Sequence, residues 1–159
     1  GHAYLLHKAN FNNEPNIFIE AYSIFIEFIF GDYLKNTRYS GVAYSSEYQR
    51  LDSFLGMIDY EFANLSRLKD MYFTFPFYYY SDGSLARIDS AKMILSDMLG
   101  MYFVSLYRFD KKKYNIMMSA FLDMYGKVTD EEILKYFKLS NLVDGSIDTL
   151  DTYVKTYRR

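Results

Sequence analysis

Two glutamates within one apolar segment are the residues of this sequence whose type and spacing could do chemistry. The run from Ile17 to Phe30 carries large apolar side chains at most positions, together with Glu20, Ser23 and Glu27. On a helix, seven residues bring Glu27 to about 20° from the direction of Glu20. A carboxylate among apolar side chains is costly unless it is protonated, paired with a cation or bound to a metal. The pattern therefore predicts a buried metal ligand at Glu27, supported by Glu20 and Ser23, or else an exposed polar strip or a structural salt bridge to an arginine.

A histidine near the start of the chain bears on this choice. His2 stands in the word Gly1-His2-Ala3, 25 residues before Glu27. Gluzincin metallopeptidases carry His-Glu-x-x-His on one helix: the two imidazoles bind zinc, the glutamate activates water, and a glutamate from a later helix completes the set. This chain would hold only the end of such a motif. The other interpretation is that Gly1 and His2 are vector-derived residues.

On these residues the sequence resembles the oligoendopeptidase F and thimet oligopeptidase group of zinc metallopeptidases. Members of that group read His-Glu-x-Gly-His, and the segment from Tyr22 to Glu27 is similar to the one that bears their third ligand. The segment from Pro76 to Tyr80 resembles the aromatic substrate-binding loop of the oligoendopeptidases, and residues 114–134 resemble their closing helices. The resemblance covers most of the chain in order.

The resemblance implies a role for each matching position. His2 and Glu27 would be zinc ligands, and Tyr78 and Tyr80 would be catalytic hydroxyls close to the developing oxyanion. The resemblance also implies that three residues contact the peptide substrate: Tyr72, Tyr79 and Asp82. The group usually has a histidine at the position of Tyr72 and a tyrosine at that of Asp82.

The function that the resemblance implies is that of a longer parent protein, of which this chain would be one part. That parent is expected to be a cytoplasmic zinc enzyme that hydrolyses short peptides with metal-activated water. This chain lacks the first zinc histidine and the catalytic glutamate, so alone it is predicted to be inactive and to bind zinc weakly or not at all. We expect residues 1–159 to form one helical domain and to be a fragment of a longer chain.

Composition limits the class of protein. The chain has 159 residues, 18 Lys and Arg against 20 Asp and Glu, and no Cys. This is enough to bury a core without disulfides. Its one basic run longer than two residues, Lys111 to Lys113, is too short to predict a nucleic-acid partner, and the apolar segments are too short and too charged to predict a membrane span. The 18 Tyr and 14 Phe residues suit a groove or an interface.

The spacing of apolar residues predicts an all-α, multi-helix bundle, which the resemblance compares with the C-terminal helical part of a gluzincin catalytic domain. Asp110 is a predicted helix N-cap, and the segment from Thr129 to Glu132 has the pattern of a capping box. The predicted helices are about 16–36, Ser45 or Ser46 to about 68, Ser84 to about 108, 110–125, 129–138 and Ser146 to about 159. The segment from Met71 to Gly83 is predicted to be irregular.

A second interpretation needs no catalysis. Under it the chain is an all-α interaction module, or a catalytically dead relative of the peptidases, that binds a peptide in a groove rich in tyrosine. It predicts no bound metal and an apolar patch around Tyr72 to Tyr80. The sequence makes no prediction of the oligomeric state.

Overall fold

Six helices and a pair of short strands make up the part of the chain that the computed structural model describes, which is residues 17–65, 75–79, 85–88, 90–125 and 127–157. Helices carry the core, as the all-α prediction requires. In chain order the elements are α1 (Ile17–Leu34), α2 (Ser40–Leu65), β1 (Phe75–Tyr79), β2 (Leu85–Ile88), α3 (Ser90–Phe109), α4 (Lys111–Met124), α5 (Asp130–Phe137) and α6 (Leu139–Tyr157).

Helix α3 lies at the centre and packs against α1 on one side and α6 on another. Two glycines allow these close approaches. A Cβ on Gly100 would lie 2.7 Å from Cγ2 of Ile24, and a Cβ on Gly145 would lie 2.7 Å from Cα of Tyr102. Both distances are shorter than van der Waals contact, so any larger residue at either position would push a neighbouring helix away from α3.

An aromatic cluster joins four of the helices. The ring of Phe121 lies 4.5 Å from that of Phe18 and 5.0 Å from that of Phe103, and Phe137 packs edge-on against Phe103 at 5.5 Å. Phe103, Phe121 and Phe137 are almost completely buried. These rings supply much of the apolar burial that holds α1, α3, α4 and α5 together.

The helix caps predicted at Asp110 and Thr129 are confirmed. The Asp110 carboxylate accepts a hydrogen bond from the backbone N–H of Lys113, three residues into α4. At the start of α5 the Thr129 hydroxyl accepts from the N–H of Glu132, whose carboxylate accepts in turn from the N–H of Thr129 at 2.8 Å. The first helix also begins close to its predicted position and ends two residues earlier.

Three predicted helix starts are wrong. Helix α2 begins at Ser40, because a turn that ends in the Ser40 N–H to Thr37 carbonyl bond leads directly into it. Helix α6 begins at Leu139, not at Ser146, whose buried hydroxyl donates to the Leu142 carbonyl within the helix. A serine inside a helix can satisfy its hydroxyl in this way, so a serine alone does not mark a start.

The third wrong start concerns the segment before α3. The predicted helix from Ser84 is replaced by strand β2, which pairs antiparallel with β1, and α3 begins only at Ser90. The register shifts between Phe75 and Tyr78, an interval that includes Pro76, which has no N–H to donate to a ladder. Aromatic residues such as those of β1 favour strands, and pairing with β1 prevails over the helical spacing of residues 85–88.

None of the described helices has the length and the apolar character that a membrane span would need.

Candidate functional site

Glu27 is exposed, so the prediction that its carboxylate is buried is wrong. Its side chain is 54% accessible, and its Oε2 lies 3.9 Å from Nε of Arg50 on α2. Neighbours in sequence point about 100° apart on a helix, so the apolar residues on either side of Glu27 bury their own side chains without enclosing it. The alternative interpretation, an exposed strip with an arginine partner, describes Glu27 correctly.

Glu20 and Ser23 are half-buried on the same helix. Glu20 lies in the first turn of α1, and the charges of Glu20 and Glu27 both raise the pKa of Asp97 on α3. The two glutamates therefore face the same region, as their spacing predicts. The burial argument made for Glu27 applies better to Glu20.

Asp97 is the residue that sequence analysis missed. Its side chain is 3% accessible, and its Oδ1 accepts a hydrogen bond of 2.8 Å from Nη2 of Arg50. Burial raises the pKa of the Asp97 carboxyl to about 6, opposed by the positive charge of Arg50 and reinforced by Glu27 and Glu20. The sequence does contain a signal for Asp97: it is an acidic residue within an apolar helix, the same feature that makes Glu27 a candidate.

We call Glu27, Arg50 and Asp97 the inner cluster. It joins α1, α2 and α3 through a single guanidinium. Two of its buried atoms, Nε of Arg50 and Oδ2 of Asp97, have no hydrogen-bond partner. Unsatisfied buried polar atoms are rare, because each has lost its water without a replacement. The inner cluster is therefore incompletely paired.

A shallow groove between α1 and α2 begins at the inner cluster. Its empty space, open to solvent, is about 280 Å³. Its lining combines an apolar floor with charged and polar rims, and consists of Glu27, Phe28, Gly31, Ala43, Ser46, Glu47 and Arg50. The exposed carboxylate of Glu27 is thus available to groups that enter this groove.

A second set of charges, which we call the outer cluster, joins the same three helices further along. It consists of Asp32, Lys35, Glu47 and Arg108. Nε and Nη2 of Arg108 donate to both carboxylate oxygens of Asp32, at 2.9 and 2.8 Å. Lys35 pairs with Asp32 at 3.1 Å and with Glu47, which also lies 3.5 Å from Arg108. Each carboxylate of the outer cluster therefore has two cationic partners.

The pKa of Asp32 responds to this pairing. Burial alone would raise the pKa of the Asp32 carboxyl, but hydrogen bonds from Arg108 and Lys35, together with their charges, lower it below its usual value. The outer cluster is thus a structural ion-pair network of the kind that holds helices in register, and offers no unpaired group to a ligand.

Several predicted site residues lie outside the described part of the chain. These are His2, Tyr72, Tyr80 and Asp82. For Tyr78 and Tyr79 the structure describes the backbone, which lies in β1, but not the side chain. The proposed meeting of His2, Glu27 and the tyrosines stays a prediction.

A zinc ion does not fit the described residues by themselves. Among them, no group of three or more His, Cys, Asp or Glu side chains is placed to hold a metal ion. The inner cluster brings Glu27 next to a guanidinium, which competes with a metal for the same carboxylate. A zinc site would need ligands besides the described residues, such as His2, which lies outside them.

Comparison with known proteins gave no match to a family model, to a curated protein or to a solved structure. The likeness to the oligoendopeptidase F group depends on the residues quoted from the sequence.

Proposed function

We propose that this chain is the C-terminal helical part of a zinc-dependent oligopeptidase that hydrolyses short peptides. One observation carries the proposal: α1 directs two carboxylates, Glu20 and Glu27, toward the same region beside the buried Asp97. Several carboxylates gathered at one place favour the binding of a cation there, and Arg50 is the cation that the structure shows at Glu27 and Asp97. The sequence resemblance supports the same assignment.

The parent's zinc ion, when bound, would polarise the peptide carbonyl and activate water. In this proposal, His2 and a carboxylate of α1 contribute to its binding. Because Glu20 is half-buried and Glu27 is 54% exposed, both carboxylates are candidates. Tyr78 and Tyr80 would donate hydrogen bonds to the substrate, and the chain alone, which lacks the remaining ligands, would be inactive.

The test compares single variants of the full natural polypeptide that contains this chain. Glu20→Gln and Glu27→Gln each remove one carboxylate of α1 with little change of shape. Glu131→Gln, on an exposed position of α5, is the matched control. Zinc per polypeptide by elemental analysis and hydrolysis of a quenched fluorescent peptide are the measurements.

We expect one of the two α1 variants to lose most of its zinc and its activity, while the control keeps both. Full zinc and full activity in both α1 variants would overturn the assignment of α1 as the ligand helix. A full natural polypeptide that holds no zinc and cleaves no peptide would overturn the proposed function itself.

A second candidate function is a peptide-binding module without catalysis. It is favoured by a group of exposed apolar side chains where α1 ends and α2 begins. Phe30 and Tyr33 are stacked at 6.4 Å and are 58% and 69% exposed, and Val42 on α2 is 65% exposed. The patch predicted around Tyr72 to Tyr80 lies outside the described residues. This candidate is supported if the full polypeptide binds short peptides without metal and releases them uncleaved.

A further inference from the structure

The guanidinium of Arg50 serves two carboxylates but hydrogen-bonds to one. Nη2 donates to Asp97 at 2.8 Å. Nε is 3.9 Å from Oε2 of Glu27, which is within the range of an ion pair but too long for a hydrogen bond. The structure thus leaves the Nε–H of Arg50 between two possible acceptors.

Two buried atoms of the inner cluster lack a hydrogen-bond partner, and the choice of acceptor for the Arg50 Nε–H decides which of them is satisfied. Nε of Arg50 and Oδ2 of Asp97 are both buried and without a partner. A guanidinium is a rigid fork that can bind both oxygens of one carboxylate through Nε and Nη2, as Arg108 does with Asp32, and the same arrangement with Asp97 would pair the two atoms. The alternative acceptor for Nε is Oε2 of Glu27, 3.9 Å away. The Nε–H can point at only one of the two acceptors.

We propose that Arg50 is a positioning residue, anchored by Asp97, that acts as the exchangeable counter-ion of Glu27. When the Glu27 carboxylate has no other cation, Arg50 forms an ion pair with it at 3.9 Å and balances its charge at the mouth of the groove. When another cation takes Glu27, Arg50 turns to bind both oxygens of Asp97, which satisfies the two unpaired atoms. This role rests on the proposed function, in which a carboxylate of α1 faces a cationic centre.

The different exposure of the two carboxylates explains why an incoming cation would bind Glu27 and leave Asp97 to Arg50. Asp97 is 3% accessible, whereas Glu27 is 54% accessible. An incoming cation can reach Glu27 from solvent but cannot reach Asp97. The Arg50 side chain, 29% accessible, lies between them and is the group free to respond.

The test measures exchange of the Arg50 Nε proton with water, by ¹⁵N NMR on this chain. The cross-peak is assigned by its loss in Arg50→Lys. In Glu27→Ala we expect the exchange to slow several-fold, because Nε then bonds Oδ2 of Asp97. In Glu131→Ala, the matched surface control, the rate stays unchanged. A structural salt bridge alone would not slow exchange when one partner is removed.

In Asp97→Asn we expect the opposite change, a faster exchange of the Arg50 Nε proton with water. The weaker anchor of this variant releases the guanidinium toward Glu27 and solvent. Because Asp97→Asn could unfold the chain, Glu27→Ala is decisive: an unchanged or faster rate there overturns the proposal. The exchange measurement needs neither zinc nor peptide. A full polypeptide that binds no zinc would overturn the proposed function, but the exchange rates would still test the role of Arg50.

Discussion

The inner and outer clusters join the same three helices and differ in how their charges are matched. In the outer cluster two cations face two carboxylates, and the pKa of Asp32 is lowered despite its burial. In the inner cluster one cation faces two carboxylates, two buried atoms are unpaired, and the pKa of Asp97 is raised to about 6. In both clusters, burial by itself raises the pKa of the carboxyl. Asp97 is more deeply buried than Asp32 and shares its cation with Glu27, so for Asp97 burial outweighs pairing, whereas for Asp32 pairing outweighs burial.

The difference also separates structure from proposed function. A saturated network such as the outer cluster holds helices in position and has nothing to offer a ligand. An incompletely paired cluster beside a groove is costly to maintain, and sites of this kind are more often found where a protein binds or reacts.

The largest effect is expected at Asp97. Because its pKa is raised from 3.8 to about 6 in the folded state, the folded chain binds its proton more tightly than the unfolded chain. The free energy of unfolding should therefore rise as the pH falls from about 6 toward 3.8, by about 3 kcal/mol at 1.36 kcal/mol per pKa unit. Asp97→Asn should abolish this rise. Urea unfolding of both proteins across this pH range measures it, and parallel pH profiles would contradict it.

Next is Arg108→Met, which removes the cation that binds both oxygens of Asp32. Asp32 and the half-buried Glu47 would then share Lys35 alone. We expect the free energy of unfolding at pH 7 to fall by about 2 kcal/mol, between the values typical of exposed and of buried pairs.

The outer cluster also has a pH signature opposite to that of Asp97. Since the pKa of Asp32 is lowered, its contribution is present above 3.8 and is lost as the pH falls below that value. Arg108→Met should weaken this loss. The control is Lys155→Met, which breaks an exposed pair with Asp151 and should change stability by about 0.5 kcal/mol or less. An equal effect of the two variants would mean that the outer cluster does not hold the helices.

The smallest effect on stability is expected for Glu27→Gln. An exposed pair with 3.9 Å between Nε and Oε2 is worth about 0.5 kcal/mol or less. The variant should still lower the pKa of Asp97, because the negative charge of Glu27 helps to raise it. The midpoint of the Asp97 titration, followed by NMR, checks this. A large loss of stability without a change in that midpoint would mean that Glu27 acts through packing.

Local interactions could be predicted from the sequence, and contacts between helices could not. The Asp110 cap and the Thr129 capping box each depend on bonds between residues three positions apart, and both predictions are confirmed. The predicted start of α6 is wrong because serine is a common N-cap, whereas Ser146 lies inside the helix and donates to the Leu142 carbonyl. Contact with Tyr102 on α3 accounts for a glycine within that helix.

The candidate site shows the same division. The sequence by itself determined that α1 is an apolar helix with Glu20 and Glu27 on one side, because the helical repeat fixes directions along a single element. Only the tertiary structure decided that Glu27 is exposed and that Arg50 and Asp97, 47 residues apart, meet beside it. The packing of three helices sets these distances, and no pattern within one helix contains them.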